Sequence, residues 1–113
     1  MRHERLGAHV RWECKDVSSL NEGCDTVVQN PSFGVKKRGA DRQFISTAMR
    51  IGKVIYTMHK STTRDFIKDY INRLGGGITD LCTVEFKLPY SYSFHKKRIK
   101  SIDVDVYRIE RRD

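Results

Sequence analysis

Two stretches of the chain set a Lys-Lys-Arg triplet beside an aromatic ring: Phe33-Gly34-Val35-Lys36-Lys37-Arg38-Gly39 and Tyr92-Ser93-Phe94-His95-Lys96-Lys97-Arg98. Cationic side chains neutralise phosphates and flat rings stack on bases, so this pairing suits a nucleic-acid strand, a single strand in particular. The candidate nucleic-acid-binding residues are Lys36, Lys37, Arg38 and Arg42 from the first stretch and Tyr92, Phe94, His95, Lys96, Lys97, Arg98 and Lys100 from the second. The charge is concentrated in the same places: residues 31–60 carry +6 and residues 87–100 carry +5, while the whole chain comes to +8. A patch of this kind steers a polyanion, whereas evenly spread charge mostly solubilises. The two basic stretches are expected to converge on one surface. The rings have a second reading, because Tyr90, Tyr92 and Phe94 continue the alternation of Cys82, Val84 and Phe86 and could form core instead.

Catalytic constellations are fainter. Glu85-Phe86-Lys87 puts a carboxylate and an ammonium on one side of a strand, as some metal-dependent nucleases require, but the further Asp those enzymes take from a preceding element is not evident, since Asp80 lies in or just before the same strand and Asp65 and Asp69 are on the helix. Glu85, His59 and His95 could act as acid and base in a metal-free ribonuclease. Cys14, Cys24 and Cys82 lack the close pairing of zinc ligands, and their odd number argues against a disulfide framework. Asp103 and Asp105 alternate with Ile102, Val104 and Val106 and read as the wet side of the last strand. Gly75-Gly76-Gly77 follows a helix rather than preceding one, so it reads as a C-cap and not as a phosphate cradle. No catalytic residue, metal or cofactor is expected from these motifs.

The elements that must carry these residues follow from periodicity. Phe66, Ile67, Tyr70, Ile71 and Leu74 share one helical face after the hydroxyl-rich start Ser61-Thr62-Thr63, predicting an amphipathic helix over about 62–74 that ends at the glycines. Cys82 to Leu88 alternate as a strand, interrupted at Pro89 and resumed to His95, and Ile102 to Tyr107 form its hairpin partner. Gln43 to Arg50 and Lys53 to Lys60 are rich in β-branched and aromatic residues and read as two strands broken at Gly52, or one with a bulge. His9 to Cys14 adds a short strand, and residues 15–42 read as a long loop with room for one more strand around Val27-Val28. The expected fold class is α+β: an antiparallel sheet of about four or five strands packed against one amphipathic helix.

With 113 residues the chain is expected to form a single domain. It has no apolar run long enough to span a bilayer and no secretory-type leader, so no membrane partner is expected and the location expected is intracellular, cytoplasmic or nuclear, or a virion if the source is viral. The function these observations favour is a non-catalytic nucleic-acid-binding domain in a ribonucleoprotein or in viral or phage genome handling. The competing reading is a structural subunit of a virion, tail or other large assembly, with a homo-oligomer possible, and the third is a small nuclease.

Overall fold

In Ala40–Ile51, the apolar residues Phe44, Ile45, Ala48 and Met49 recur at helical spacing, and in the computed structural model this segment is a helix, α1. The structure describes residues 9–31, 40–91 and 97–112. Ile45, Ala48 and Met49 are buried, so the segment expected to be a strand is helical because its apolar residues sit three and four apart rather than alternating. Before it lies β1, Cys24–Gln29, inside the expected loop. After it come β2, Gly52–Lys60, and a single 3-10 turn at Ser61–Thr63 that leads into α2, Arg64–Arg73. The chain closes with two long strands, β3 at Gly76–Ser91 and β4 at Lys97–Arg111. Residues 9–14, expected to form a strand, lie outside any strand, and a 3-10 turn at Val17–Ser19 follows them.

The fold is α+β as expected, with two helices rather than one, and its sheet is mixed rather than antiparallel. The strand order is β1-β2-β4-β3, with β1 parallel to β2 and both other pairings antiparallel. The parallel pair exists because α1 returns the chain to the edge at which β1 began, the crossover that parallel strands need. A strand at 43–50 would leave no such crossover, which is why the expected sheet was antiparallel.

Both helices cover one face. Ile45, Ala48 and Met49 of α1, Ile67 and Ile71 of α2, Ile55 of β2, and Tyr107 and Ile109 of β4 form one core cluster. Gly75 ends α2 with φ +83°, the left-handed conformation expected of a C-cap glycine. Gly76, next to it, is held by space: a Cβ there would come 2.7 Å from the Met49 Cε and 2.9 Å from an Ile71 methyl.

The opposite sheet face explains a reversal of phase. Cys82, Val84, Phe86 and Leu88, expected on the buried side of their strand, are exposed on the face away from the helices. In β4 it is Asp105, Tyr107 and Ile109 that point at the helices and are fully buried. A period-2 pattern says that a strand has two sides but not which one meets the helices.

Candidate functional site

Because β4 runs antiparallel to both of its neighbours, β3 runs in the same direction as β1 and β2, and all three end at one edge of the sheet. In open sheets with crossover helices, that carboxyl edge is where ligands bind. There β1 gives way to Asn30, which is exposed, and to Pro31, which is buried. Residues 32–39 lie outside the described residues, and the chain resumes at α1.

Two polar networks brace this edge. In the first, the Gln29 amide donates to the Thr57 hydroxyl at 3.0 Å, and that hydroxyl lies 2.8 Å from His59 Nε2. The other ring nitrogen, Nδ1, is 3.6 Å from a carboxylate oxygen of Asp41 in the first turn of α1. Burial pushes the His59 ring below its ordinary value of 6.5, with Asp41 and Asp105 pulling it part of the way back.

The second network centres on Asp105. Arg64 grips its carboxylate with Nε at 2.7 Å and Nη2 at 2.8 Å, Ser61 donates at 2.6 Å, Thr83 at 2.8 Å and the Tyr107 phenol at 3.3 Å. The arginine and the hydroxyls hold the carboxyl far below the usual carboxylate range, against the opposing effect of burial. Burial and the neighbouring Asp105 push the Tyr107 phenol upward. Asp105 is thus not on a wet face. It is buried because its carboxylate is surrounded by donors, which makes burial of a charge tolerable. Together the two networks fix the ends of β1 and β2 and the starts of α1 and α2 against the last two strands.

The residues singled out from sequence fall unevenly on this frame. Lys36, Lys37 and Arg38, and Tyr92, Phe94, His95 and Lys96, lie outside the described residues, so the expected convergence of the two clusters falls there too. Arg42 is on α1, where its guanidinium sits 5.4 Å above the Phe66 ring. Phe66 stacks on Tyr70 and is itself exposed, so this corner of α2 is surface rather than core. Lys97 and Arg98 lie on β4, and Lys100 there is exposed. Beyond the pairing of Lys60 with Val104, β2 ends and β3 and β4 continue as a two-stranded ribbon from Glu85–Asp103 to Ser91–Lys97. The ribbon projects from the carboxyl edge, as does the Asn30 step.

Among the described residues the enzyme-like constellations do not assemble, and His95 lies outside them. Glu85 pairs across the ribbon with Asp103, and its side chain is 4.0 Å from Lys87, whereas His59 is buried under the helices. Cys14, Cys24 and Cys82 are free and exposed, so Cys82 is not the core residue its alternation suggested. Sequence reasoning missed Asn30 and Pro31, which look like turn punctuation, and the partners of His59. The available signal was Thr26-Val27-Val28-Gln29 running directly into Asn-Pro: a short apolar strand that stops at a residue without an N–H.

No family model matches the chain. It is 37% identical, over 96% of its length, to an uncharacterised protein of Methanocaldococcus jannaschii, and 38% identical, over 84%, to the rRNA N(6)-adenosine-methyltransferase METTL5 of Danio rerio. Among solved structures it is similar to a candidate RNA methyltransferase from Pyrococcus horikoshii, with 36% identity over 85% of this chain and 48% of that one and a TM-score of 0.71. A Thermoplasma acidophilum protein shares the fold at a TM-score of 0.75 over 98% of this chain and 59% of its own, with 23% identity. The fold is therefore the one found in Rossmann-like methyltransferases. The chain spans about half the length of the curated relatives it matches, 55% and 47%. These likenesses overturn the expectation of a non-catalytic binder, together with the virion-subunit and nuclease alternatives and the expectation that the chain is no enzyme. The viral and structural readings fall with them. Charge and aromatic content speak to the kind of partner a surface suits and are silent on any reaction, which is why composition pointed to binding alone.

Proposed function

We propose that this chain forms the part of an RNA methyltransferase that receives the target base, and that the group methylated is the exocyclic amine of adenine. The observation that carries this reading is Asn30-Pro31 at the carboxyl end of a parallel strand, braced from below, with Asn30 open to solvent. An adenine amine is a poor nucleophile because its lone pair is drawn into the ring, and it offers two N–H donors. The Asn30 carboxamide oxygen and the Pro31 carbonyl are two acceptors on adjacent residues, and proline adds no competing N–H. Engaging both N–H groups leaves the nitrogen richer in electrons and fixes the direction in which its lone pair points. The base must leave its stack to reach them. Phe33, three residues beyond Asn30 in the sequence, supplies an aromatic ring of the kind that stacks on a base.

Among the described residues no strand–glycine–helix turn of the kind that cradles a nucleotide-like cofactor occurs. Support for RNA as substrate comes from the names of the relatives and from the basic ribbon, whose exposed Lys87 and Lys100, with Lys96, Lys97 and Arg98 towards its tip in the sequence, would hold backbone phosphates while the base enters the edge.

The test joins this chain to the complementary part of the Danio rerio relative and measures transfer of labelled methyl to an rRNA fragment. Transfer to adenine N6 that falls by about 100-fold or more in Asn30→Ala, the scale of losing one oriented polar group in a reaction centre, is the expected result. A folded chimera that methylates another atom, or whose activity ignores Asn30, overturns the reading.

A further inference from the structure

The connection between β1 and α1 begins at Asn30 and ends at Ala40, and one chain of polar groups ties both of its flanks to β2. On one side Gln29 donates to Thr57, and on the other His59 Nδ1 faces Asp41. Thr57 and His59, which link the two sides, are 0% and 1% exposed. Such depth is unusual for polar side chains that only decorate a fold.

One assignment of protons satisfies every group in this chain. The Thr57 oxygen already accepts from Gln29, so the Thr57 hydroxyl proton is available for His59 Nε2, 2.8 Å away. With Nε2 accepting, the single proton of a neutral imidazole sits on Nδ1 and points at the Asp41 carboxylate. Every group then has one role: the amide donates to the hydroxyl, the hydroxyl donates to the ring, and the ring turns its N–H towards the carboxylate 3.6 Å away. Burial is what favours the neutral ring; the Tyr107 ring lies edge-on at 5.9 Å, and Asp105, whose charge pulls the other way, is ion-paired with Arg64. A second proton on the ring would turn Nε2 into a donor facing the hydroxyl and leave the Thr57 proton without its acceptor.

We propose that His59, in its Nδ1-protonated neutral form, is a positioning residue that holds both ends of the β1–α1 connection and so sets the Asn30-Pro31 step against β2. The role assigned to that step rests on the reading given under Proposed function; the latch itself is a property of the fold and is measured without activity.

The experiment is nitrogen-resolved NMR of the His59 ring combined with amide hydrogen exchange on this chain and its variants. The ring is expected to show the Nδ1–H tautomer at pH 7 and to remain neutral below pH 6.5. His59→Ala should speed exchange at Gln29, Asn30, Asp41 and Arg42 by about tenfold or more while amides of α2 stay unchanged, because opening is local. His59→Gln keeps one acceptor and one donor and should restore protection. Thr57→Val cuts one limb only and should loosen Gln29 and Asn30 but not Asp41 and Arg42. An Nε2–H tautomer, a uniform rise in exchange across the whole sheet, or unchanged protection at both flanks would each overturn the proposal. If His59→Ala does not fold, the tautomer of the unmodified chain and the Thr57→Val pattern still decide it. Intact latch behaviour in a chain whose chimera ignores Asn30 would refute the methyl-transfer reading alone.

Discussion

Asp105 shows how much one side chain can organise. It takes donors from the turn after β2, the start of α2, β3 and its own strand, and with these it pins the carboxyl edge from beneath. Asp105→Asn keeps the shape but turns an acceptor into a donor facing Arg64, and should cost about 1–3 kcal/mol in denaturant unfolding, the scale of a buried group left mispaired. Arg64→Ala acts differently. It removes the main cause of the lowered carboxyl pKa, so the carboxyl titrates higher. A depressed carboxylate stabilises above its unfolded value of 3.8 and loses that contribution as pH falls towards the folded value, so the variant should lose less stability between neutral pH and pH 2 while being weaker at neutral pH. A decline as steep as in the unmodified chain would show that Arg64 does not govern Asp105.

At the scale of elements, burial separates residues that the pattern treated alike. Ile71 of α2 is fully buried between the helix and the sheet, and Ile71→Ala should destabilise by about 2–5 kcal/mol. Phe86 occupies an equally apolar position in its strand but is 38% exposed on the ribbon side, so Phe86→Ala should cost about 1 kcal/mol or less in the same measurement. Equal costs would place a covering element over that face. The α2 terminus offers a backbone test: with Gly75 at φ +83°, Gly75→Ala should lower stability by about 1 kcal/mol through strain, because an L side chain rarely adopts that conformation.

For the whole molecule, two networks predict a two-stage response to acid. His59 is lowered in the fold, so its contribution to stability is complete above pH 6.5 and is lost as pH falls from there, while the Asp105 contribution is lost only below 3.8. Denaturant midpoints measured from pH 8 to pH 2 should therefore decline in two steps, and His59→Gln should lose the first step and keep the second. The charge distribution predicts the binding behaviour. Replacing Lys96, Lys97, Arg98 and Lys100 together with Ala should weaken binding to all single-stranded RNA sequences alike and flatten the log-log salt dependence by roughly 0.7 for each phosphate that is no longer neutralised. A large drop in melting temperature with unchanged affinity would make the ribbon tip structural instead.

What can be read from the residues in order is whatever depends on near neighbours. The helix at 64–73, its glycine stop, the β3–β4 hairpin and the α+β class all follow from spacing, capping and alternation, which are local properties. Residues 43–50 read as strand because their β-branched and aromatic content outweighs a three-four spacing that is nevertheless present. What only the tertiary structure decided was which face of each strand meets the helices and which distant polar groups meet one another. Asp105 resembles any surface acid until Arg64, Ser61 and Thr83 converge on it, and His59 is a stray histidine until Gln29, Thr57 and Asp41 gather around it. Asn30-Pro31 is a turn by composition and becomes a candidate site only because β1 runs parallel to β2 and ends at the edge from which the basic ribbon also projects. Strand direction and order are set by long-range pairing, and no window of consecutive residues contains that information.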